Sequence, residues 1–529
     1  MPNKVQHLKQ GTIIVLILFL LGWHLALPVD FIRSDLGRHI KNGELVLHGH
    51  WDVLYKNYYS YTHPEYPFIN HHWLFGVFCY VCWHYFGFTG LSLIYLILEL
   101  FTFYVFFCCW QRYSSFAMAC AIGLLSFPLI SSRIVIRPEG ISYLFCGLFW
   151  WMIDAYQQKR LKSHHLIIGL CVLQIIWVNT HIFFIMGPIL TALFWLQMRI
   201  NKEEEQAVVL QKLFLLLLVM CMINPSGIDG AMTPFHVDKA YSFPIQENSS
   251  VFSFFIEKNS LFRSILLYFL AVLGMLLAAV FFLIRREGLK KNIFIVTLAL
   301  LTSIAALKAE RLTGLFIYFW IPLSTYAYGR WMQAETVKVR KIFEIVLVAL
   351  GIIVSVSVNF NWNQRHSLGI VPGANHAAEF FKREKILGPI FNNYDIGGYL
   401  IFYLSPQHKF FVDNRMEAFP EDFFSKTYIP LQWNDDAWSA ADQKYHFNVI
   451  FITPELSVMN FKFLLHRFMD PAWAPVFIDG DAIILLKRNA QNAQIIKHNE
   501  ILTDQIRMVP PSNGKRTQII VFYKGALRK

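Results

Sequence analysis

The chain has 529 residues, of which 55% are hydrophobic and only 16% are charged, and its mean hydropathy is +0.41. This balance would leave too much apolar surface on a soluble globular protein and instead predicts a membrane protein. The formal net charge is +12, but the basic residues cluster between apolar blocks, as in the cytoplasmic loops of membrane proteins, so nucleic acid is not an expected partner.

The apolar residues fall into blocks close to the roughly 20 residues that a helix needs to cross a bilayer. The first block, 12–29, offers no small-x-small cleavage site and is interpreted as a retained span. Because the predicted loops fix which side the chain reaches, only an even number of the next three blocks can cross, and the one that contains Pro128 is interpreted as partial or as merging with its neighbour. These three blocks are 73–86, 91–109 and 116–130. Together with later blocks at 265–284, 312–328 and 342–358, the pattern predicts about eleven spans.

The positions of the basic loops predict a cytoplasmic N-terminus, and they place the loop at 30–70 and the chain after residue 360 on the opposite side. Residues 1–360 are therefore predicted to form a transmembrane domain and residues 361–529 a soluble α/β domain. In the soluble part, predicted strands at 409–413, 448–452 and 482–487 alternate with predicted helices at 375–386, 435–445 and 456–468. That part has no cysteine and no glycine-rich phosphate motif.

The loop at 30–70 and the residues just after it are rich in ionisable side chains. Asp35 and His39 are four residues apart and would share one face of a helix. The structural alternative is a solvated loop in which Asp35 pairs with Arg38. The histidines match no tight metal-binding spacing, so the sequence leaves metal binding open. They are His39, His48, His50, His63, His71 and His72.

Further polar residues recur at the predicted outer ends of membrane spans. They are Arg133, Arg137, Glu139, Asn179, His181, Glu247, Glu310 and Arg311. Ionisable groups at a membrane boundary are functional candidates, and the planar guanidinium group of arginine suits phosphate. For each residue alone, the alternative is interfacial anchoring or an ion pair between helices. Their common side of the membrane predicts a shared site.

At these residues the sequence resembles the GT-C superfamily of polyprenyl-phosphate-dependent glycosyltransferases, in particular its bacterial branch with a periplasmic C-terminal domain. The matching segments, in chain order, are 34–43, 59–62, 72–74, 133–138, 177–181, 224–227, 247–249, Arg311, 391–400 and 412–417. Two positions depart from the pattern. His72 stands where an acidic residue is expected, and Ile182 stands where glycine is common.

The resemblance implies a GT-C-like, multi-pass inner-membrane enzyme that moves a hexose or pentose from a polyprenyl-phosphate donor to an acceptor on the periplasmic side, with inversion. The acceptor class stays open between glycan, lipid and protein. No obligatory cofactor is implied, and a role for a divalent metal ion stays open. The main rival is a transporter or flippase for a lipid-linked or anionic solute, which would carry charges near mid-membrane and repeated halves. A non-catalytic assembly factor with the same fold is a third reading.

The resemblance also carries roles onto individual residues. It implies that Asp35 is the catalytic base, with Asp30 as the nearby alternative and His39 beside it. The candidates for binding the donor phosphate are Arg133, Arg137 and Arg311. Further substrate-site candidates are His71, His72, His181 and Glu247.

Overall fold

The computed structural model describes residues 2–132, 135–236, 246–255, 260–333, 335–358, 366–454, 458–510, 518–523 and 526–527. The chain divides into two compact units. The first, here called the helical unit, comprises Met1–Pro28, Thr89–Pro234 and Pro244–Leu368. The second, here called the mixed unit, comprises Val29–Phe88, Phe235–Phe243 and Gly369–Lys529. The predicted outside loop at 30–70 thus belongs to the same unit as the C-terminal region.

Helices dominate the described chain. In chain order they are α1 (Pro2–Leu25), α2 (Leu36–Leu47), α3 (Trp73–Trp110), α4 (Phe116–Ser131), α5 (Pro138–Gln157), α6 (Ser163–Val178), α7 (Met186–Asn201), α8 (Glu204–Met220), α9 (Gly227–His236), α10 (Ser260–Glu287), α11 (Ile293–Lys308), α12 (Thr313–Met332), α13 (Val337–Ser357), α14 (His376–Arg383), α15 (Gly397–Leu404), α16 (Glu421–Phe423), α17 (Asp435–Tyr445), α18 (Val458–Met469) and α19 (Ala493–Asn499). Gly87, at φ 64°, breaks the regular geometry of α3, a conformation that glycine adopts without steric cost.

Among the described residues, five helical segments are long and apolar enough to cross a membrane. They are Val5–Leu25, Trp73–Tyr113, Ile182–Asn201, Arg263–Glu287 and Lys290–Lys308. Two further apolar helices, α4 and α6, are shorter. The prediction of a polytopic α-helical membrane protein is confirmed at this level. The count of about eleven spans stays a prediction, as does the partial crossing of the block at 116–130.

The core of the helical unit lies around α4. This helix is apolar on every side, as is typical of a helix enclosed by others, and it is buried from Met118 to Ser131. It packs against α12 and α13. At Gly351 of α13, an added Cβ would lie 3.0 Å from the carbonyl oxygen of Ala121. The missing side chain therefore lets these two helices approach closely.

The mixed unit contains two small sheets. The strands are β1 (Ile390–Asn392), β2 (Val449–Ile452), β3 (Trp473–Ile478), β4 (Ile483–Lys487), β5 (Ile506–Val509), β6 (Gln518–Tyr523) and β7 (Ala526–Leu527). The larger sheet has the order β1-β2-β4-β3, in which β1 and β2 are parallel and the other pairs are antiparallel. The smaller sheet has the order β5-β6-β7. The runs predicted at 448–452 and 482–487 are β2 and β4, and α14, α17 and α18 lie where helices were predicted.

The strand predicted at 409–413 is wrong. Phe410 makes only isolated bridges, to Ser60 and to Ile390. Phe410, Phe411 and Val412 are fully buried. The apolar character of this run therefore reflects its burial beside β1 and the 59–61 segment, since strand pairing does not continue along it.

The backbone of α2 is in close contact with two neighbours inside the mixed unit. A Cβ added at Gly43 would lie 2.1 Å from the carbonyl oxygen of Gly76, near the start of α3. A Cβ added at Gly37 would lie 2.5 Å from the carbonyl oxygen of Gly398, in α15. Both distances are too short for any side chain, so these glycines let α2 pack backbone against backbone. The residues around α2 are thereby fixed against the C-terminal region.

Candidate active site

The predicted helical spacing of Asp35 and His39 is present in the structure. Helix α2 begins immediately after Asp35, and the backbone N–H of His39 donates to the carbonyl oxygen of Asp35 at 3.1 Å. The side chain of Asp35 is 27% exposed, whereas His39 is buried. The carboxylate of Asp35 is therefore partly accessible to solvent, while the imidazole of His39 belongs to the interior of the unit.

The carboxylate of Asp35 is held by a residue that sequence reasoning did not single out. The side-chain amide of Asn414 donates a hydrogen bond to Oδ1 of Asp35. The Oδ1 atom of Asn414 in turn accepts a hydrogen bond from Nε of Arg38 at 3.0 Å. The direct ion pair between Arg38 and Asp35 is long, at 3.9 Å. Asn414 thus lies between the two, which modifies the structural alternative in which Asp35 simply pairs with Arg38.

Asp30, the alternative base, takes part in an ion-pair network. Its carboxylate accepts a hydrogen bond from Nη1 of Arg33 at 3.3 Å. The same Nη1 donates to Asp481 in the β3–β4 hairpin at 3.0 Å. Arg33 therefore joins Asp30 to the C-terminal region. Both aspartates thus have an arginine nearby, Asp30 at 3.3 Å and Asp35 at 3.9 Å, and both stay candidates for the base.

The histidines of the first loop separate into groups. The rings of His39 and His72 lie edge to face with centroids 5.6 Å apart, and those of His71 and His72 lie 3.9 Å apart. His63 instead packs on Phe423, with ring centroids 4.9 Å apart, while His48 and His50 are exposed. Within the described ranges, no cluster of three or more His, Cys, Asp or Glu side chains has a metal-binding arrangement.

A buried ion pair supports the segment that carries Asn414. The guanidinium of Arg415 donates to both carboxylate oxygens of Asp413 at 2.7–2.8 Å, and the two side chains are 0% and 1% exposed. Arg415 also donates to Oδ1 of Asn57 at 2.8 Å and lies between the rings of Tyr59 and Phe68. These contacts join the first loop to the segment that follows α15. The sequence signal was the motif at 412–417, but its partners are distant in the chain.

In the helical unit, Arg137 and Glu247 form an ion pair. Arg137 directly precedes α5, whose first residue is Pro138, a favoured residue at the first helical position. Nη1 of Arg137 donates to both oxygens of Glu247, at 2.8 Å and 2.6 Å. The hydroxyl of Tyr95 donates to the carbonyl oxygen of Arg137 at 2.8 Å and so fixes this turn. Arg133, the neighbouring candidate, lies outside the described residues.

His181 and Arg311 lie near the same end of α5. Oγ of Ser142, one turn into α5, is 2.8 Å from Nδ1 of His181 and accepts a hydrogen bond from Nε1 of Trp177 at 2.8 Å. Arg311 is close enough to His181 for their charges to interact. The buried chain of Trp177, Ser142 and His181 therefore fixes the imidazole beside a predicted phosphate-binding arginine.

A backbone contact joins the turns that carry Glu247 and Arg311. Arg311 lies in the 3₁₀ turn Glu310–Leu312, and the N–H of Glu310 donates to the carbonyl oxygen of Ser249 at 3.0 Å. Four of the boundary residues predicted from the sequence thus meet at one end of the helical unit. They are Arg137, His181, Glu247 and Arg311.

Two asparagine motifs in the resemblance have structural roles. The amide of Asn179 donates to the carbonyl oxygens of Ile175 and Ile223, at 2.7 Å and 2.8 Å. Asn224 accepts from the N–H of Ser226 at 2.9 Å and donates to the carbonyl oxygen of Gly227 at 2.8 Å. These bonds join the ends of α6 and α8 and shape the turn before α9.

Sequence reasoning missed a carboxylate at the same end of the helical unit. Oε2 of Glu99 accepts a hydrogen bond from the hydroxyl of Tyr318 at 2.8 Å. A Cβ added at Gly140 would lie 2.2 Å from Oε1 of Glu99 and 2.2 Å from the hydroxyl of Tyr95. The glycine therefore lets the first turn of α5 pack on this carboxylate. The signal in the sequence was a single glutamate inside an apolar block.

The predicted site residues thus form two sets, one inside each unit. The set in the mixed unit contains Asp30, Asp35, His39, His71 and His72. The set in the helical unit contains Arg137, His181, Glu247 and Arg311. The first set presents a supported, partly exposed carboxylate. The second presents two arginines together with a histidine and one carboxylate.

Comparison with known proteins finds likeness at the level of the fold. No protein-family model matches the sequence, and no curated protein matches it. The oligosaccharyltransferase AglB of Archaeoglobus fulgidus, solved with an inhibitory peptide and a dolichol-phosphate, superposes with a TM-score of 0.58 at 10% identity, over 92% of this chain and 75% of that chain. The apo form of the Archaeoglobus fulgidus enzyme gives a TM-score of 0.57 at 10% identity, over 88% and 73% of the two chains.

A bacterial structure is also among the matches. ArnT of Cupriavidus metallidurans, bound to undecaprenyl phosphate, gives a TM-score of 0.47 at 12% identity, over 90% of this chain and 97% of that chain. The chain has the fold of the archaeal oligosaccharyltransferase, in agreement with the membrane-enzyme fold expected from the sequence motifs.

Proposed function

We propose that this protein is a membrane glycosyltransferase of the GT-C type, which moves a sugar from a polyprenyl-phosphate donor to an acceptor hydroxyl or amide. The observation that carries the proposal is the partly exposed carboxylate of Asp35, held by Asn414 in a chain with the fold of an oligosaccharyltransferase. That neighbour was solved with a dolichol-phosphate and a peptide, which supports a lipid-phosphate donor for this chain. The donor sugar, hexose or pentose, and the acceptor, a glycan, lipid or protein, stay open.

In the proposed reaction the carboxylate of Asp35 accepts the proton of the acceptor group. The acceptor atom attacks the anomeric carbon of the sugar from the side opposite the phosphate, and the bond between that carbon and the phosphate oxygen breaks. This direction of attack gives inversion. The lipid phosphate leaves with negative charge, and a guanidinium group can stabilise that charge through paired hydrogen bonds. Arg137 and Arg311 are the described candidates for that role, and Arg133 is the third.

The environments of the other candidates suit supporting roles. His181 is fixed by Ser142 and lies beside Arg311, so it is placed to contact the donor. Glu247 accepts hydrogen bonds from the guanidinium of Arg137, and the donor phosphate competes with Glu247 for that group. His71 and His72 remain substrate-site candidates, and His39 supports them from the interior. Participation of a divalent metal ion at the leaving phosphate stays open, and adding a chelator to a sugar-transfer assay tests it.

The orientation is part of the proposal. We place the N-terminus in the cytoplasm and the C-terminal region in the periplasm of an inner membrane, since the basic loops, such as the one at 285–291, favour the cytoplasm. A reporter fused after Arg286 is expected to report the cytoplasm. A reporter fused at the C-terminus is expected to report the opposite side. Both reporters on one side would contradict this topology.

The function is tested by comparing cell-envelope glycans, lipids and glycoproteins with and without the protein by mass spectrometry. A sugar that disappears from one product class, and returns with the wild-type gene but not with Asp35→Asn, supports a glycosyltransferase. An unchanged envelope combined with loss of solute or lipid export would favour the rival transporter. Asp35→Asn that restores the product fully would favour a non-catalytic role for the fold.

A further inference from the structure

The C-terminal region contributes directly to the candidate catalytic carboxylate. Three segments that are far apart in the sequence meet at Asp35: the start of α2, the start of α15 and the segment at 413–415. All three belong to the mixed unit. Their contacts are made by backbone and short side chains, so the geometry allows little variation.

Paired glycines at the start of α15 bring the three segments together. A Cβ added at Gly397 would lie 2.6 Å from Cα of Asp413, and one added at Gly398 would lie 2.7 Å from the carbonyl oxygen of Ser34. Neither position has room for a side chain, because heavy atoms that are not bonded do not approach so closely. The segment of Asn414 and the segment of Asp35 are thereby both held against the same two residues.

The contact between the segments has a defined chemistry. The amide nitrogen of Asn414 donates to Oδ1 of Asp35, and the amide oxygen of Asn414 accepts from Nε of Arg38. The bond from Arg38 fixes which end of the amide faces the carboxylate, because arginine can only donate. A neutral donor orients the carboxylate and leaves its negative charge in place. A short arginine pair in that position would neutralise much of it.

The support behind Asn414 is rigid. The next residue, Arg415, forms the fully buried ion pair with Asp413 and donates to Asn57 of the first loop. The hydroxyl of Tyr59, which lies against Arg415, donates to Oδ1 of Asn42 in α2 at 2.6 Å. The segment that presents Asn414 is therefore joined to α2 through a second, independent route.

We infer that Asn414 is a positioning residue, through which the C-terminal region orients the carboxylate of Asp35 toward the acceptor. This inference rests on the proposed function and gives the C-terminal region a part in the chemistry itself. It acts on the geometry of the base, so its loss is expected to lower kcat and to leave the KM for the donor unchanged. A merely structural residue would instead change the thermal stability along with kcat.

The test uses the full-length protein in detergent micelles, a panel of polyprenyl-phosphate hexoses and pentoses, and envelope extract as the acceptor. Asn414→Leu keeps the size of the side chain and removes its hydrogen bonds. It is expected to lower kcat on the order of 10-fold, the scale of one hydrogen bond to a charged group, with donor KM and Tm unchanged. Asn414→Gln, which retains an amide, is expected to recover part of the rate.

A matched control is available on the surface of the same unit. Asn375 also donates its amide to a carboxylate, that of Glu379, but both residues lie apart from the contacts of Asp35. Asn375→Leu is expected to retain the wild-type kcat. In an Asp35→Asn background, adding Asn414→Leu is expected to cost less than about twofold, because a residue that acts through Asp35 has no further effect once that carboxylate is gone.

The outcomes separate this inference from the proposed function. Wild-type protein that transfers no sugar from any donor overturns both. Transfer by the wild type at a rate that Asn414→Leu matches overturns the inference alone, as does a kcat loss that persists in full in the Asp35→Asn background. If Asn414→Leu does not fold, the kcat values of Asn414→Gln and Asn414→Asp are compared instead. Equal kcat for these two overturns the inference, while a higher kcat for the amide supports it.

Discussion

Two charged regions of the molecule differ in what holds their central group. In the mixed unit, the carboxylate of Asp35 is supported by the neutral amide of Asn414, and the nearest contact to Arg38 is 3.9 Å. In the helical unit, the guanidinium of Arg137 is bound at 2.6 Å by the opposite charge of Glu247. The donor that holds Asp35 is neutral, whereas the partner of Arg137 carries the opposite charge and would compete with a phosphate for the guanidinium. On the proposed function, Asp35 is already held for the acceptor, whereas a phosphate that binds Arg137 competes with Glu247.

The largest effect is expected at the supported carboxylate. Asp35→Asn keeps the size of the side chain and removes its ability to accept a proton, so sugar transfer is expected to fall by about 10²–10⁴-fold, the usual range for loss of a general base. Transfer from a labelled polyprenyl-phosphate donor by purified protein measures the loss, with Tm recorded alongside. The matched change Asp30→Asn is expected to cost much less. If Asp30→Asn abolishes transfer while Asp35→Asn does not, the two roles are exchanged.

The second prediction concerns the rigid support in the mixed unit. Asp413→Asn leaves the guanidinium of Arg415 buried without its counter-charge, which is expected to destabilise the unit by about 3–5 kcal/mol and to lower its Tm by roughly 6–20 °C. Asp422→Asn is the control, because its ion pair with Lys426 is 58% and 75% exposed and exposed pairs contribute little to stability. Thermal unfolding monitored by circular dichroism measures both. Equal Tm values would show that the buried pair does not support the unit.

The third prediction tests the paired arginine. Arg137→Lys keeps the charge, but lysine cannot grip two phosphate oxygens with a planar fork. We expect kcat/KM for the donor to fall about 10-fold, equivalent to about 1.4 kcal/mol, with expression intact. The matched control is Arg330→Lys, since Arg330 also pairs with a glutamate, Glu287, at 2.8 Å. Unchanged donor kinetics in Arg137→Lys would identify Arg137 as a structural residue at the start of α5.

The smallest effect concerns pH. Desolvation raises the pKa of the Glu417 carboxyl, and the charges of Arg38 and Arg415 oppose that rise only in part. A carboxyl with a raised pKa in the folded protein contributes stability that is fully present below its unfolded pKa and is lost as the pH rises through its folded pKa. Glu417→Gln is therefore expected to reduce the fall in Tm on raising the pH above the usual glutamate range. Parallel Tm profiles for wild type and variant would contradict this.

The sequence predicted the parts of the molecule that depend on local pattern. Apolar blocks of membrane length, the helical spacing of Asp35 and His39, and strands such as 448–452 follow from periodicity within a short window. The apolar run at 409–413 failed because its residues are buried by tertiary contacts without pairing as a strand. An apolar run indicates that its residues are buried, and pairing within a strand is only one cause of burial.

The residues that hold the candidate site were beyond sequence reasoning for a different reason. Asn414 is 379 residues from Asp35 along the chain. Arg33, which joins Asp30 to the C-terminal region, is 448 residues from its partner Asp481. Charge and spacing identify which groups can do chemistry. They do not identify a neutral amide, distant in the chain, that orients such a group. The sequence around Asn414 gives no sign that this residue contacts the start of α2.

The contact of Gly37 with Gly398 also limits how the protein can be recombined. A chimera that exchanged only the C-terminal region for that of a relative would meet the original α2 at a surface where a single added carbon already collides, 2.5 Å from a carbonyl oxygen. The part of the chain to exchange is therefore discontinuous, because residues 29–88 and residues 369–529 must be exchanged together. Over evolutionary time the same constraint would make these two segments diversify in step, even though residues 89–368 separate them in the sequence.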